Sequence, residues 1–145
     1  MENALLTPTC HDCRTIGRHV APMLVDMEAA LGPDVVCAFL TAHGGRPYQI
    51  PNGSRADKTA FASVNTWLRD QIGYGVIGMP KGPLARNNRV AWSIYCHLRD
   101  GQSLNVIAGL VDCELRTVSR QKERCRALGL LANQTDTTTP KDYPR

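Results

Sequence analysis

No run of about 18 apolar residues occurs in this 145-residue chain, so nothing in it is expected to span a membrane. Its first residues, MENALLTPTC, carry neither a basic start nor an apolar core, and no secretory signal is expected there. The six cysteines are therefore expected to stay reduced, in a cytoplasm. Cys37, Cys96, Cys113 and Cys125 fall in expected helices or at a tight turn, where a thiol acts as a small hydrophobe.

Marks of catalysis and of metal binding are missing too. Cys10-His11-Asp12-Cys13 is a C-x-x-C followed by His19, but no second ligand pair exists, and His43 and His97 stand alone. A thioredoxin-like site needs a strand before the pair and a helix after it, and that context is lacking. Cys10 and Cys13 are read as loose thiols of a flexible arm, with no metal and no cofactor. There is no nucleophile–base pair and no paired carboxylate set. Gly73 to Gly78 spells GxGxxG, without the preceding strand and following helix that give those letters meaning, and is read as a loop. The chain is not expected to be an enzyme.

What is present is charge, unevenly spread. Residues 1–80 hold 6 Lys/Arg against 7 Asp/Glu, while residues 81–145 hold 11 against 6. The basic partner surface is therefore expected in the C-terminal part. Ser103 to Leu131, SLNVIAGLVDCELRTVSRQKERCRALGLL, reads as a helix-turn-helix. Ile107 and Ala108 sit in a first short helix, Val111-Asp112-Cys113 makes the turn, and Glu114 to Leu128 forms the second helix. Ala108 gives the small residue at closest approach, and Ile107, Val111, Cys113 and Val118 plug the angle. Asp112 stands where Gly is commonest, and Gln121 where a small apolar residue usually faces the core. Arg116, Arg120, Lys122, Arg124 and Arg126 outnumber Glu114 and Glu123, the footprint of a phosphate partner. The candidate DNA-binding residues here are Arg116, Thr117, Ser119, Arg120, Lys122 and Arg124. Arg116, Ser119 and Arg120 are expected at base edges, and Lys122 and Arg124 on the backbone.

The expected fold is mainly α, with an N-terminal helical dimerisation region carrying a short β-strand and a C-terminal helix-turn-helix. Residues 1–13 read as a flexible arm. Ile16, Val20, Leu24, Met27 and Leu31 mark one helix face that Pro22 kinks or splits, and Val35, Val36, Phe39 and Leu40 a second helix ended by Gly44-Gly45. Arg46 to Ile50 is a strand that Pro47 confines to an edge. Together these make a dimerisation region, 14–53. Residues 54–85 read as an inserted strand-turn-helix unit and linker, with helical spacing from Ala56 to Ile72 and a candidate strand at Val76–Met79. The DNA-binding domain is 86–132, and 133–145 (NQTDTTTPKDYPR) a disordered tail. Ile50-Pro51-Asn52-Gly53 recurs as Met79-Pro80-Lys81-Gly82, and Leu68-Arg69-Asp70 as Leu98-Arg99-Asp100, which suggests a duplicated unit. Trp67, Trp92, His43 and His97 read as packing residues.

CAFLTAHGGRPYQIPNG at Cys37–Gly53 and RVAWSIYCHLRDGQSLNVIAGLVDCELRTVSRQKERCR at Arg89–Arg126 cover a little over a third of the chain. In order and motif they resemble the Mor family of phage transcription activators, the middle operon regulators. The first motif is short but unusual in joining Gly-Gly, a strand and Ile-Pro-x-Gly. The second is shared by many DNA-binding proteins. The resemblance implies a homodimer held by the N-terminal helices and strand, with one helix-turn-helix per subunit in a major groove. It also implies a strand near the dyad approaching the minor groove, which makes Arg46, Tyr48 and Gln49 candidate contacts. Ser54 to Gly82 departs from the family pattern as an insertion. The expected function is a sequence-specific transcription regulator binding double-stranded DNA, a dimeric phage or prophage activator with host RNA polymerase as a candidate partner. The alternative is a non-enzymatic interaction module whose basic helix binds an acidic partner.

Overall fold

A computed structural model describes residues 5–51 and 61–131. The expected tail, 133–145, and the start of the helix expected from Ala56 lie outside the described residues. The fold is mainly helical with one small antiparallel sheet, in the order α1 (Cys10–Thr15), α2 (Pro22–Leu31), α3 (Pro33–His43), β1 (Arg46–Ile50), α4 (Ala62–Gln71), β2 (Gly75–Met79), α5 (Arg86–Arg99), α6 (Leu104–Val111) and α7 (Leu115–Ala127). A short 3-10 turn at Gly82–Leu84 precedes α5. No helix among the described residues is long and apolar enough to cross a membrane.

The chain divides into two compact units, and the division falls within α1. One holds Thr9–His11 and the described part of His19–Ala85; the other holds Asp12–Arg18, the described residues before Thr9, and those from Arg86 on.

In the first of these, α2 and α3 form a hairpin at Gly32, whose φ of +96° suits glycine and whose N–H closes α2 on the Glu28 carbonyl at 2.8 Å. Pro33 then opens α3, where the missing N–H costs nothing. Leu24, Met27, Val36, Phe39 and Leu40 are buried, as the periodicity requires. β1 pairs antiparallel with β2, with Tyr48 opposite Ile77 and Gln49 opposite Val76. Tyr48, Ile50 and Met79 are buried, while Pro47, Gln49 and Val76 face out. Val64, Asn65 and Leu68 of α4 are buried too. The described part of residues 54–85 belongs to the same compact unit as β1. A lone five-residue strand leaves its ladder groups unpaired, and β2 pairs β1 within the same unit.

The second unit wraps α5, α6 and α7 around one core of Ile94, Leu98, Ile107, Val111, Val118 and Cys125. Leu5 and Ile16 join that core. Leu6 N–H donates to Ser93 Oγ at 2.7 Å, and the Arg89 guanidinium to the Leu5 carbonyl at 3.1 Å. The flexible arm expected at 1–13 is thus corrected over its described part. Leu5, Pro8, Cys10 and Cys13 are buried, and the Cys10 N–H donates to the Glu28 carboxylate at 2.8 Å. Apolar burial and charge-assisted capping hold the described part of this segment. The long face from Ile16 to Leu31 is split. Pro22 starts a new helix, and Ile16 and Leu24 fall in different units.

Candidate nucleic-acid interface

The second unit carries the helix pair singled out by the sequence. Ser103 caps α6, its Oγ accepting the Val106 N–H at 3.3 Å. Asp112 ends α6 in the left-handed region (φ 59°, ψ 56°), the one non-glycine with positive φ among the described residues. Its short side chain tolerates what most residues resist, and Cys113 N–H closes the turn on the Ala108 carbonyl at 3.1 Å. Ile107, Val111 and Val118 are buried in the angle, with Ala108 and Cys113 packed against them.

From that angle α7 presents two faces. Val118, Gln121 and Cys125 point inward. Arg116, Arg120 and Arg124, four residues apart, are exposed, and Thr117, Ser119 and Lys122 are half-buried. Among the described residues, the side chains of Arg116, Arg120, Lys122 and Arg124 make no hydrogen bond or ion pair. Arg126 is different, since its Nη1 lies 3.0 Å from Glu123 Oε2. Four cations without acidic partners leave the helix surface electrostatically open to an anion.

Arg120 and Arg124 also line a cleft of about 300 Å³ between α5 and α7. Arg18, Asn87, Thr117 and Gln121 supply its other polar groups, and Val90, Ala91 and Ile94 its apolar floor. Gln121 is only 7% exposed and donates from Nε2 to the Cys125 sulfur at 3.6 Å. That bond and its place on the cleft explain why an amide sits where an apolar side chain was expected. Arg18 is anchored by its Nε–H, which donates to Asn88 Oδ1 at 2.8 Å. Sequence reading missed Arg18 and Asn87. They lie far from α7 along the chain, and a lone arginine beyond a helix end carries no pattern.

The strand candidates separate. Arg46 and Gln49 are exposed, and among the described residues their side chains bond only locally, to the Ala42 carbonyl at 3.1 Å and the Ile50 carbonyl at 3.4 Å. Tyr48 is corrected as a surface contact. It faces inward, packs edge-on against Phe39 with ring centres 4.9 Å apart, and shares a hydrogen bond with Asn65. Position decides this, because alternation along β1 puts 48 and 50 on one face and 47 and 49 on the other.

Cys10 and Cys13 are buried rather than loose, and none of the six cysteines is in a disulfide. Among the described residues, no three His, Cys, Asp or Glu side chains gather as a metal site would need. Burial pushes the Cys125 thiol up, against a smaller pull from the Gln121 hydrogen bond and the Arg124 charge. Such a thiol is a poor nucleophile. His43 stacks among Phe39, Tyr48 and Phe61, and Trp92 packs on the second core beside Tyr95, as packing residues do. No protein-family model, curated protein or solved structure matches the chain.

Proposed function

We propose that this chain is a sequence-specific DNA-binding transcription regulator, acting as a homodimer in the manner of the phage activators that its motifs resemble. In this reading α6 and α7 form a helix-turn-helix, and α7 enters the major groove. The observation that carries it is the unpaired row Arg116, Arg120 and Arg124 on the outer face of α7, opposite the buried Val118, Gln121 and Cys125. A capped first helix and a left-handed turn residue hold that row on a packed support. A binding element placed on rigid helices keeps its register on the duplex.

The test is a titration of the full chain with duplex DNA over a range of salt. If each subunit neutralises about four phosphates, log K should fall against log salt with a slope of roughly −7 for a dimer. A slope near zero removes the duplex as the partner and leaves a protein-binding role for the basic helix. Sedimentation at micromolar concentration should give twice 15.9 kDa, and a monomer with and without DNA removes the dimer.

A further inference from the structure

Arg18, Arg120 and Arg124 converge on one cleft whose lining holds no carboxylate. None of the three is in an ion pair among the described residues. Three guanidiniums around one opening repel each other, and an anion placed between them relieves that repulsion. Asn87 and Thr117 add neutral polar groups to the same wall. The Arg18 guanidinium is held by its Nε–H on Asn88, and among the described residues its terminal N–H groups have no acceptor. An arginine held on one edge grips a tetrahedral oxyanion through its remaining donors, which a mobile lysine does less well.

We propose that the cleft between α5 and α7 is a phosphate-binding site in which Arg18 acts together with Arg120 and Arg124. The phosphate belongs either to the backbone of a duplex lying on α7 or to a small phosphorylated molecule. The first source rests on the DNA-binding reading; the second does not. Under the first, Arg120 and Arg124 grip the backbone while Arg116, which does not line the cleft, remains free for base edges.

The experiment uses the full chain and two variants, R18Q and R18K. Amide NMR spectra are followed during titration with inorganic phosphate, against chloride at equal ionic strength. The expected result is saturable shifts at Asn87, Thr117 and Arg124, weakened about tenfold in R18Q and less in R18K, which keeps the charge. A duplex titration follows. If the site takes a backbone phosphate, duplex displaces inorganic phosphate, and R18Q lowers the salt slope by about one per subunit. If it takes a small phosphorylated molecule, a nucleoside monophosphate shifts the same amides, and duplex affinity is equal in R18Q and the unsubstituted protein. Saturable phosphate binding by a chain that binds no duplex upholds the site and removes the DNA reading. Duplex binding with no phosphate-specific shift and no effect of R18Q removes the site and leaves the DNA reading standing. Thermal unfolding of R18Q equal to that of the unsubstituted protein excludes misfolding as the cause of its loss, and R18K, whose Nζ replaces the Nε–H donor toward Asn88, separates loss of the charge from loss of the guanidinium geometry.

Discussion

The Tyr48 hydroxyl and the Asn65 side-chain carbonyl are hydrogen-bonded to each other in the buried space between β1 and α4. Asn65 is fully buried, and Tyr48 nearly so. A polar pair enclosed in this way ties the sheet to the helix and fixes which face of β1 turns inward.

Tyr48→Phe keeps the ring packing and removes the hydroxyl, leaving a buried amide short of one partner. It should lower stability by about 1–3 kcal/mol. Urea unfolding measures this. Duplex affinity of the folded variant should be unchanged, since the hydroxyl faces the core. A selective loss of DNA binding at unchanged stability would return Tyr48 to the interface.

Alkaline pH should destabilise the protein. Burial raises the Tyr48 phenol above its ordinary 10.0, with the Asn65 bond pulling the other way more weakly. Burial likewise raises Cys96, Cys113 and Cys125 above 9.0. Each group ionises more readily in the unfolded chain than in the folded one. Their contribution is complete below pH 9 for the thiols and below pH 10 for the phenol, and is lost as pH rises through the folded values. Melting temperature should fall across that range, and Tyr48→Phe should flatten the upper part of the fall. A melting temperature constant to pH 11 counts against these burials.

Gly82 and Gly73 both have positive φ, at +55° and +109°, but only Gly82 meets a neighbour. A Cβ there would stand 2.5 Å from Leu24 Cδ1. Gly82→Ala adds core crowding to backbone strain and should cost about 2–4 kcal/mol. Gly73→Ala meets nothing within 4 Å, so its cost comes from backbone strain alone, at a φ outside the left-handed region that Gly82 occupies. A Gly82→Ala loss in thermal unfolding no larger than the roughly 1–2 kcal/mol of strain alone would show that Leu24 yields freely.

On α7, roles should divide by place. Arg116→Ala is expected to cost about 1–3 kcal/mol on the cognate site and much less on random duplex. Lys122→Ala should weaken both equally, because phosphates carry no sequence. Arg120→Ala, on the cleft, should behave more like Lys122→Ala. Paired titrations at one salt concentration decide this. If all three lower both affinities by the same factor, α7 is a charged strap and bases are read elsewhere.

Local rules gave the elements almost without help. Gly32-Pro33, Pro47, Ser103 and Asp112 act on the backbone within a few bonds, so the ends of α2, α3 and α6 and the five residues of β1 were legible as letters. Apolar spacing likewise told which side of α7 faces inward, leaving its arginines outside. Nothing local, however, distinguishes a packed N-terminal segment from a free one. Leu5 and the buried Cys10 and Cys13 depend on partners far along the chain, and β1 likewise depends on β2. The cleft belongs to the same class. Arg18, Asn87 and Arg124 come together only when α5, α7 and the segment after α1 pack on one core. Contacts of that kind arise from burying apolar area between distant segments, which no short window of sequence contains.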